Sequence, residues 1–148
     1  MAPIVESIEI ARRPEEVFAY MTDPGHLIDW QESLVSVRRE DEGPVAVGGR
    51  IVTTRRIGRG ERAMTMEMSE LNPPNSWAVR GVDGPIRGMV KGTVEPLENG
   101  ERSRATINLD FEGHGIGKLL VPLVVRRQAA SEVPRNLQKL KERLESST

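Results

Sequence analysis

The chain has 148 residues, carries a formal net charge of −1 and contains no cysteine. This length suits a single domain, residues 1–148, that buries a core without covalent staples. The lack of cysteine excludes disulfides and thiolate chemistry, and the near-zero net charge argues against nucleic acid as a partner. The N-terminus lacks signal-peptide features, and no apolar stretch approaches the roughly 18 residues that span a membrane. We therefore expect a cytoplasmic protein with no membrane span.

The first thirty residues predict one strand and two short helices. Residues 4–11 alternate between apolar and polar side chains, which indicates a strand. Pro14 suits the first position of a helix, and the two glutamates after it complement the helix N-terminus. Asp23, followed by Pro-Gly, ends that helix and can cap a second short one that runs toward Trp30.

Residues 33–112 predict six strands joined by turns. Asn99-Gly100 is the strongest hairpin signal in the chain. Strands joined by such short turns are antiparallel neighbours. The predicted strands have the sequences SLVSVRRE, RIVTTRRI, RAMTMEMSEL, SWAVRGV, IRGMVKGTVEPL and SRATINLDFEG.

The C-terminal stretch predicts one long amphipathic helix of about 30 residues. Apolar residues recur at steps of three and four, and an upstream set is expected to continue the same stripe. Pro134 lacks the N–H that would bond to the carbonyl of Ala130, so we expect a bend there. Pro122 marks an irregular first turn. The stripe comprises Ile116, Leu119, Leu120, Leu123, Val124, Ala130, Val133, Leu137, Leu140 and Leu144.

This order of elements predicts an α+β layer fold. A seven-stranded antiparallel sheet twists strongly enough to curl. The long helix would lie in the curl, with the two short helices beside it. Because a twisted sheet cannot follow a straight helix everywhere, we expect a mostly apolar pocket between them.

Three segments carry a resemblance to a known family. Residues 8–30 contain an IxI strand, PEEVF, TDP and a tryptophan; residues 92–100 read GTVEPLENG; residues 133–145 contain VPRNL and LKERLE. In this order and spacing, the chain resembles the START-like (SRPBCC) superfamily, and within it the bacterial polyketide cyclase/dehydrase group. The resemblance implies the helix-grip (Bet v 1-like) fold and a hydrophobic, polyketide-like or lipid-like ligand. The superfamily also includes lipid carriers and co-chaperones, so the fold does not select one activity.

Alternation in the strands and the helical stripe predict which side chains face the pocket. Three methionines at every second position form either ordinary core or an adaptable wall for several ligand shapes. Trp30 is expected near the pocket mouth, with its indole N–H paired if the ring is buried. The predicted ligand-binding residues are Ile8, Ile10, Trp30, Met64, Met66, Met68, Leu109, Phe111, Leu123 and Arg127.

Two adjacent arginines interrupt the apolar stripe of the long helix. Arg126 and Arg127 stand about 100° apart on a helix, so both can hardly point away from the sheet. The inner one either extends outward along its aliphatic stem or pairs with an acid such as Glu6. The alternative is an anchor for a carboxylate or enolate ligand. The step of three to Ala130 favours Arg127 as the residue that reaches the pocket.

Other polar residues give weaker signals. The basic stretch of residues 55–62 is interpreted as a solvated hairpin tip, with phosphate or RNA contact as the alternative. His26 is interpreted as a surface or capping residue, or else a proton donor at the pocket mouth, and His114 as a loop residue. Two scattered histidines and no phosphate-binding loop predict no metal and no nucleotide or other cofactor.

Three functions remain open from the sequence. The first is binding of an apolar small molecule, with affinity from apolar burial and orientation from a few polar groups. The second is an enzyme, a cyclase or dehydratase using acid–base groups that the sequence does not identify. The third is a co-chaperone or ribosome-associated module, which would expose a large apolar patch. The sequence does not decide the oligomeric state.

Overall fold

Seven antiparallel strands form one curved sheet. The computed structural model describes residues 2–146. The order in the sheet is β1-β7-β6-β5-β4-β3-β2, so the first two strands of the chain lie at opposite edges. The strands are β1 (Ile4–Ile10), β2 (Leu34–Arg39), β3 (Arg50–Ile57), β4 (Gly60–Asn72), β5 (Ser76–Gly81), β6 (Ile86–Leu97) and β7 (Arg102–Gly113).

The helices connect the edge strands and pack inside the curl of the sheet. Two short helices join the edge strands β1 and β2, and a helical region of 30 residues follows β7, as predicted. Asp23 caps the first short turn, since its Oδ1 accepts the Gly25 N–H at 2.9 Å. The helices are α1 (Pro14–Thr22), α2 (Leu27–Trp30), α3 (Gly117–Leu120) and α4 (Arg126–Ser146), with short 3₁₀ turns at Pro24–His26 and Glu98–Gly100 and a π-helical turn at Val121–Val125.

The main core lies between α4 and the sheet. Leu140 is fully buried, and Leu137 and Leu144 are buried beside it, as the stripe predicts. They pack with Ile10 of β1 and with the inner face of α1. Full burial of each such side chain stabilises the fold by roughly 1.5–3 kcal/mol. This packing fixes α4 along the inside of the curl.

The start of the long helical region is packed differently from the predicted stripe. We call Gly117–Val125 the leading segment. Val121 and Val125 face inward and contact Met64 and Ile86. Leu123 is 67% exposed, so the prediction that it faces the inside is wrong. The π-helical turn, which contains Pro122, changes the number of residues per turn and so shifts the phase of the helix. The irregular turn expected at Pro122 is confirmed.

The predicted register of β4 is confirmed. Met64 and Met68 are buried, and Met66 is half-buried on the same inner face. On the opposite face, Thr65 donates to Asp83 and Glu67 pairs with an exposed arginine. Alternation along this strand therefore places all three methionines inside the curl.

Candidate functional site

A cavity of about 210 Å³ lies inside the curl of the sheet. Strands β3 to β7, helices α2 and α4, and the loop of residues 40–49 supply its walls. The exposed lining residues Asp41, Ala46 and Arg50 gather at that loop, which marks the mouth. At the other end, Ile86 and Val125 are buried and close the cavity. The fold therefore holds a pocket with one open end.

Six of the ten predicted ligand-binding residues line this cavity: Trp30, Met64, Met66, Met68, Leu109 and Phe111. Their role as ligand contacts stays a prediction. Ile10 is fully buried and Ile8 packs on the same core, but neither lines the cavity. Leu123 and Arg127 are exposed and lie outside it. Leu123 was placed by the predicted stripe, which the π-helical turn shifts, and Arg127 was placed by a step of three to Ala130, which is itself exposed.

The apolar wall leaves room over a glycine. Gly88 of β6 lines the cavity opposite Phe111 and Met66. A Cβ atom built on Gly88 would lie 3.7 Å from Phe111 Cε1 and 4.0 Å from Met66 Cε, which is ordinary contact. A longer side chain at this position would therefore enter the cavity. Met66 is unbranched and flexible, so this part of the wall can adapt to the shape of a ligand.

A buried carboxylate stands among these apolar residues. Glu132 of α4 is 7% exposed and lines the cavity. Its Oε2 accepts the Ser33 hydroxyl at 3.0 Å, the Ser33 N–H at 3.3 Å and the Asn136 amide at 2.8 Å. Asn136 in turn accepts the Glu32 N–H at 2.9 Å. Three donors converging on one oxygen are the surroundings that an ionised carboxylate needs in an interior.

Arg55 completes this polar cluster. Its Nη1 donates to Ser33 Oγ at 3.3 Å, and its Nη2 donates to Gln31 Oε1. Burial lowers the pKa of Arg55, and attraction to Glu132 opposes that effect. A guanidinium stays protonated in proteins, so the interior holds one cation and one anion linked through Ser33. The polar cluster (Gln31, Ser33, Arg55, Glu132 and Asn136) is thus close to neutral overall.

The arginine in the cavity wall is Arg55, which was not among the predicted site residues, and not Arg126 or Arg127. Arg55 belongs to the stretch interpreted as a solvated hairpin tip, yet Ile51, Thr53, Arg55 and Ile57 alternate along β3 and all line the cavity. The alternation that placed the methionines would have placed Arg55 inside. The interpretation holds for Arg56 and Arg59, which are exposed.

Arg126 does find an acid, but outside the cavity. Its Nη2 pairs with Asp110, not Glu6, and its Nη1 donates to the carbonyl of Ala2 at 3.0 Å. Arg127 is exposed. Neither arginine lines the cavity. The expectation that one of them reaches the pocket is wrong, because Ala129 and Glu132 line the cavity while Ala130, three residues after Arg127, is exposed.

Two tryptophans in the cavity wall have unpaired donors. Trp30 is 3% exposed and Trp77 is 6% exposed, and both line the cavity. Neither indole Nε1 has a hydrogen-bond partner. The expectation that a buried Trp30 pairs its N–H is therefore wrong within the protein itself. An unpaired buried donor is unfavourable by about 1–3 kcal/mol, and each of these two nitrogens has almost no accessible surface, on the cavity side or elsewhere.

His26 lies near the mouth without lining the cavity. It is exposed, stacks on Tyr20 with ring centroids 4.4 Å apart, and places its Nδ1 3.0 Å from Asp29 Oδ2. The hydrogen bond from His26 is the main cause that lowers the pKa of Asp29. These contacts support the surface interpretation of His26, which holds α2 against the end of α1.

Residues 2–146 contain no group of three or more His, Asp or Glu residues placed to hold a metal ion. In the same range, no helix combines the length and the apolar character that crossing a membrane requires.

A curled seven-stranded sheet that grips a long helix around a cavity defines a helix-grip protein, and comparison with known proteins agrees. The sequence matches the family described as "Polyketide cyclase / dehydrase and lipid transport" over residues 1–145. The chain belongs to this family. No curated protein matches the chain by sequence.

Several solved structures share the fold. TTHA0849 from Thermus thermophilus is 20% identical, with a TM-score of 0.79 over 98% of this chain and 99% of that one. The Zhui aromatase/cyclase from Streptomyces sp. R1128 is 14% identical, with a TM-score of 0.76 over 97% of this chain and 96% of that one. The di-domain ARO/CYC BexL is 16% identical, with a TM-score of 0.73 over 98% of this chain and 47% of that one.

Proposed function

We propose that the chain binds a neutral, largely apolar small molecule that carries oxygen acceptors such as carbonyl groups. The observation that carries this proposal is the composition of the cavity wall. Apolar side chains form most of it, and the Arg55 guanidinium stands among them with N–H groups beyond those used in the bonds described. Apolar burial supplies affinity at roughly 25 cal/mol per Å², and a few polar groups orient the ligand.

The donors argue for acceptors on the ligand. The indole N–H groups of Trp30 and Trp77 lack partners, and Arg55 has five N–H donors, of which two are used in the bonds described. Glu132 Oε2 already accepts three hydrogen bonds. A ligand oxygen would accept from the unused N–H groups of Arg55; each indole Nε1 has almost no accessible surface, so a ligand would reach it only if the ring shifted.

The charges argue for a neutral ligand. Arg55 is the cation in this part of the wall, and Glu132 balances it through Ser33. A ligand carboxylate at Arg55 would stand close to Glu132, and like charges in a poorly solvated site repel. This reverses the expectation of an anion anchor.

The first experiment is native mass spectrometry on gently purified protein, to detect and identify a retained molecule. Gly88→Leu fills the cavity over Phe111 and Met66 and should abolish retention. Gly60→Leu is the matched control, because a Cβ at Gly60 meets nothing within 4 Å. Retention by the control and loss in Gly88→Leu support the proposal. Equal retention by both variants would place the molecule elsewhere and contradict it.

A second experiment tests the ligand class. Titration calorimetry compares a fatty ketone with a fatty acid anion of the same chain length. We expect the ketone to bind more tightly, because the anion meets the balanced Arg55–Glu132 arrangement. Tighter binding of the anion would overturn the neutral-ligand proposal and restore the anion anchor, now at Arg55.

A second candidate function is acid–base catalysis of a cyclisation or dehydration in the same cavity. It is favoured by the position of Glu132 and Arg55 in the wall and by the fold shared with an aromatase/cyclase. The molecule retained by wild type and by Glu132→Gln separates the two functions. Identical molecules indicate binding alone, whereas an uncyclised precursor retained only by the variant indicates catalysis.

A further inference from the structure

Three large apolar side chains project outward from the start of the long helical region. Ile116, Leu119 and Leu123 are 58%, 65% and 67% exposed. The steps of three and four residues place them on one side of successive helical turns. We call these three residues the apolar face. Leu119 and Leu123 lie in the leading segment and Ile116 directly precedes it; no other stretch of eight residues within 2–146 has three exposed large apolar side chains.

Cations surround this face. Lys118 lies between its first two members and Arg127 follows its last, and both are exposed. The tip of the β3–β4 hairpin contacts the helical region just after this face, at Gln128. Gln128 accepts the Gly58 N–H at 2.9 Å and donates to the Arg56 carbonyl at 2.7 Å.

That hairpin adds further positive charge. The cations on these elements are Arg56, Arg59, Arg62, Lys118, Arg126 and Arg127; the anions are Glu61, Asp110 and Glu112. Asp110 neutralises Arg126, and Glu61 stands opposite Arg56 in the hairpin register. Cations therefore remain in excess around the apolar face, although the chain as a whole carries a net charge of −1.

We propose that the apolar face binds the surface of an anionic phospholipid bilayer. Exposed leucine and isoleucine side chains would enter the boundary between headgroups and acyl chains, and the surrounding cations would contact the headgroup phosphates. Exposed apolar side chains gathered on one face mark an interaction surface. The bilayer is favoured over a second copy because a twofold interface would bring the same cations against one another.

The inner side of the same segment closes the cavity. Val121 and Val125 contact Met64 and Ile86, opposite the exposed leucines. A bilayer at the apolar face would thus lie one helix thickness from the closed end of the pocket. This inference goes beyond the proposed binding function and does not require it.

Vesicle co-sedimentation tests the inference on the full chain. The vesicles are phosphatidylcholine alone, and phosphatidylcholine with phosphatidylglycerol at about two to one. We expect binding to the anionic vesicles, with weakening in high salt as the charges are screened. Leu119→Gln/Leu123→Gln should reduce partitioning about tenfold, and Arg59→Gln/Arg127→Gln should reduce it roughly fivefold for each cation removed.

Matched controls keep the test specific. Val47→Gln removes an apolar side chain that is 61% exposed on the loop at the cavity mouth, and Arg13→Gln removes an exposed cation next to α1. Both should bind vesicles like wild type. Thermal unfolding confirms that each variant is folded. Retention of the small molecule by each variant, measured by native mass spectrometry, reports the cavity separately.

Three outcomes would overturn the inference: equal binding to neutral and anionic vesicles, unchanged binding by the leucine variant, or absence of vesicle binding. A dimer in sedimentation velocity that Leu119→Gln/Leu123→Gln converts to monomer would instead assign the apolar face to a second copy of the chain.

Discussion

The two parts of the C-terminal helical region differ in apolar content and in surroundings. In α4, the leucines at every third or fourth position are buried against the sheet. In the leading segment, Leu119 and Leu123 point outward, and the inward contacts come from Val121 and Val125. A helical stripe is buried only where the sheet offers a surface for it. At the leading segment, where the outer side chains have no such surface, leucines stay exposed and form a surface that a binding partner can cover.

The largest difference should appear at the polar cluster of α4. Glu132→Leu removes the counter-ion of Arg55 and the acceptor of Ser33 and Asn136, which should destabilise the fold by about 3–5 kcal/mol. Urea unfolding measures this loss. Arg55→Met/Glu132→Leu should recover part of it, because neither charge is then left alone. A single variant as stable as wild type would show that the cluster is not a coupled pair.

The direct comparison of the two parts uses one substitution in each. Leu140→Ala removes a fully buried side chain and should lower the free energy of unfolding by about 3 kcal/mol. Leu123→Ala removes an exposed one and should change it by less than about 0.5 kcal/mol. Chemical denaturation of both proteins checks this. Similar losses would mean that the leading segment packs as tightly as α4.

The end of α4 should show a pH-dependent contribution. Glu145 accepts the Ala11 N–H at 2.8 Å and pairs with Lys141 at 2.6 Å, and these bonds hold its pKa below the ordinary 4.5. A lowered folded-state pKa gives stability that is present above the ordinary value and is lost as the pH falls through the lowered one.

Glu145→Gln should therefore destabilise the fold by about 1 kcal/mol at neutral pH, and the difference from wild type should shrink in acid. Glu142→Gln, on the same turn and exposed, is the control and should show little difference at any pH. A difference in the free energy of unfolding between wild type and Glu145→Gln that persists in acid would rule out the charge of Glu145 as its cause. Urea unfolding at several pH values gives the comparison.

The smallest effect is expected where the two parts join. The guanidinium of Arg126 pairs with Asp110, which is partly exposed. Arg126→Gln should cost about 1 kcal/mol or less, and added salt should reduce the difference. Thermal unfolding at low and high salt measures both. A loss as large as that of Glu132→Leu would make this edge pair equivalent to the interior cluster.

Much of the fold could be predicted because apolar and polar residues are clearly separated in the local sequence patterns. Alternation in β4 separates methionines from polar residues, and the stripe of α4 separates leucines from charges. The leading segment has no such contrast, since residues 119–125 read LLVPLVV and are apolar at every position. Periodicity cannot choose a face in such a run; Pro122 predicts an irregular turn, but not the shift of phase that the π-helical form of that turn produces.

Only the apolar and aromatic residues of the candidate site were predicted from the sequence. Five wall residues follow from alternation and Trp30 from its place at the end of the short helix, but a charged residue on an inner face contradicts the polarity rule by which inner faces are recognised. Arg55 is tolerated inside because Glu132 lies nearby, and the two are far apart in the sequence. That pairing exists only in the folded chain. Alternation along β3 does place Arg55 on the inner face, but only the folded structure shows the carboxylate that makes an arginine there stable.

The contacts that α4 makes with the edge strand β1 also affect self-association. A strand at the edge of a sheet exposes backbone groups with which a second chain can pair and start an aggregate. Arg126 bonds the carbonyl of Ala2, just before β1, and Lys141 bonds the carbonyl of Glu9 within it. Helix side chains thus occupy acceptors along this edge. Protection of β1 against edge-to-edge pairing is provided in part by a helix more than a hundred residues later in the chain.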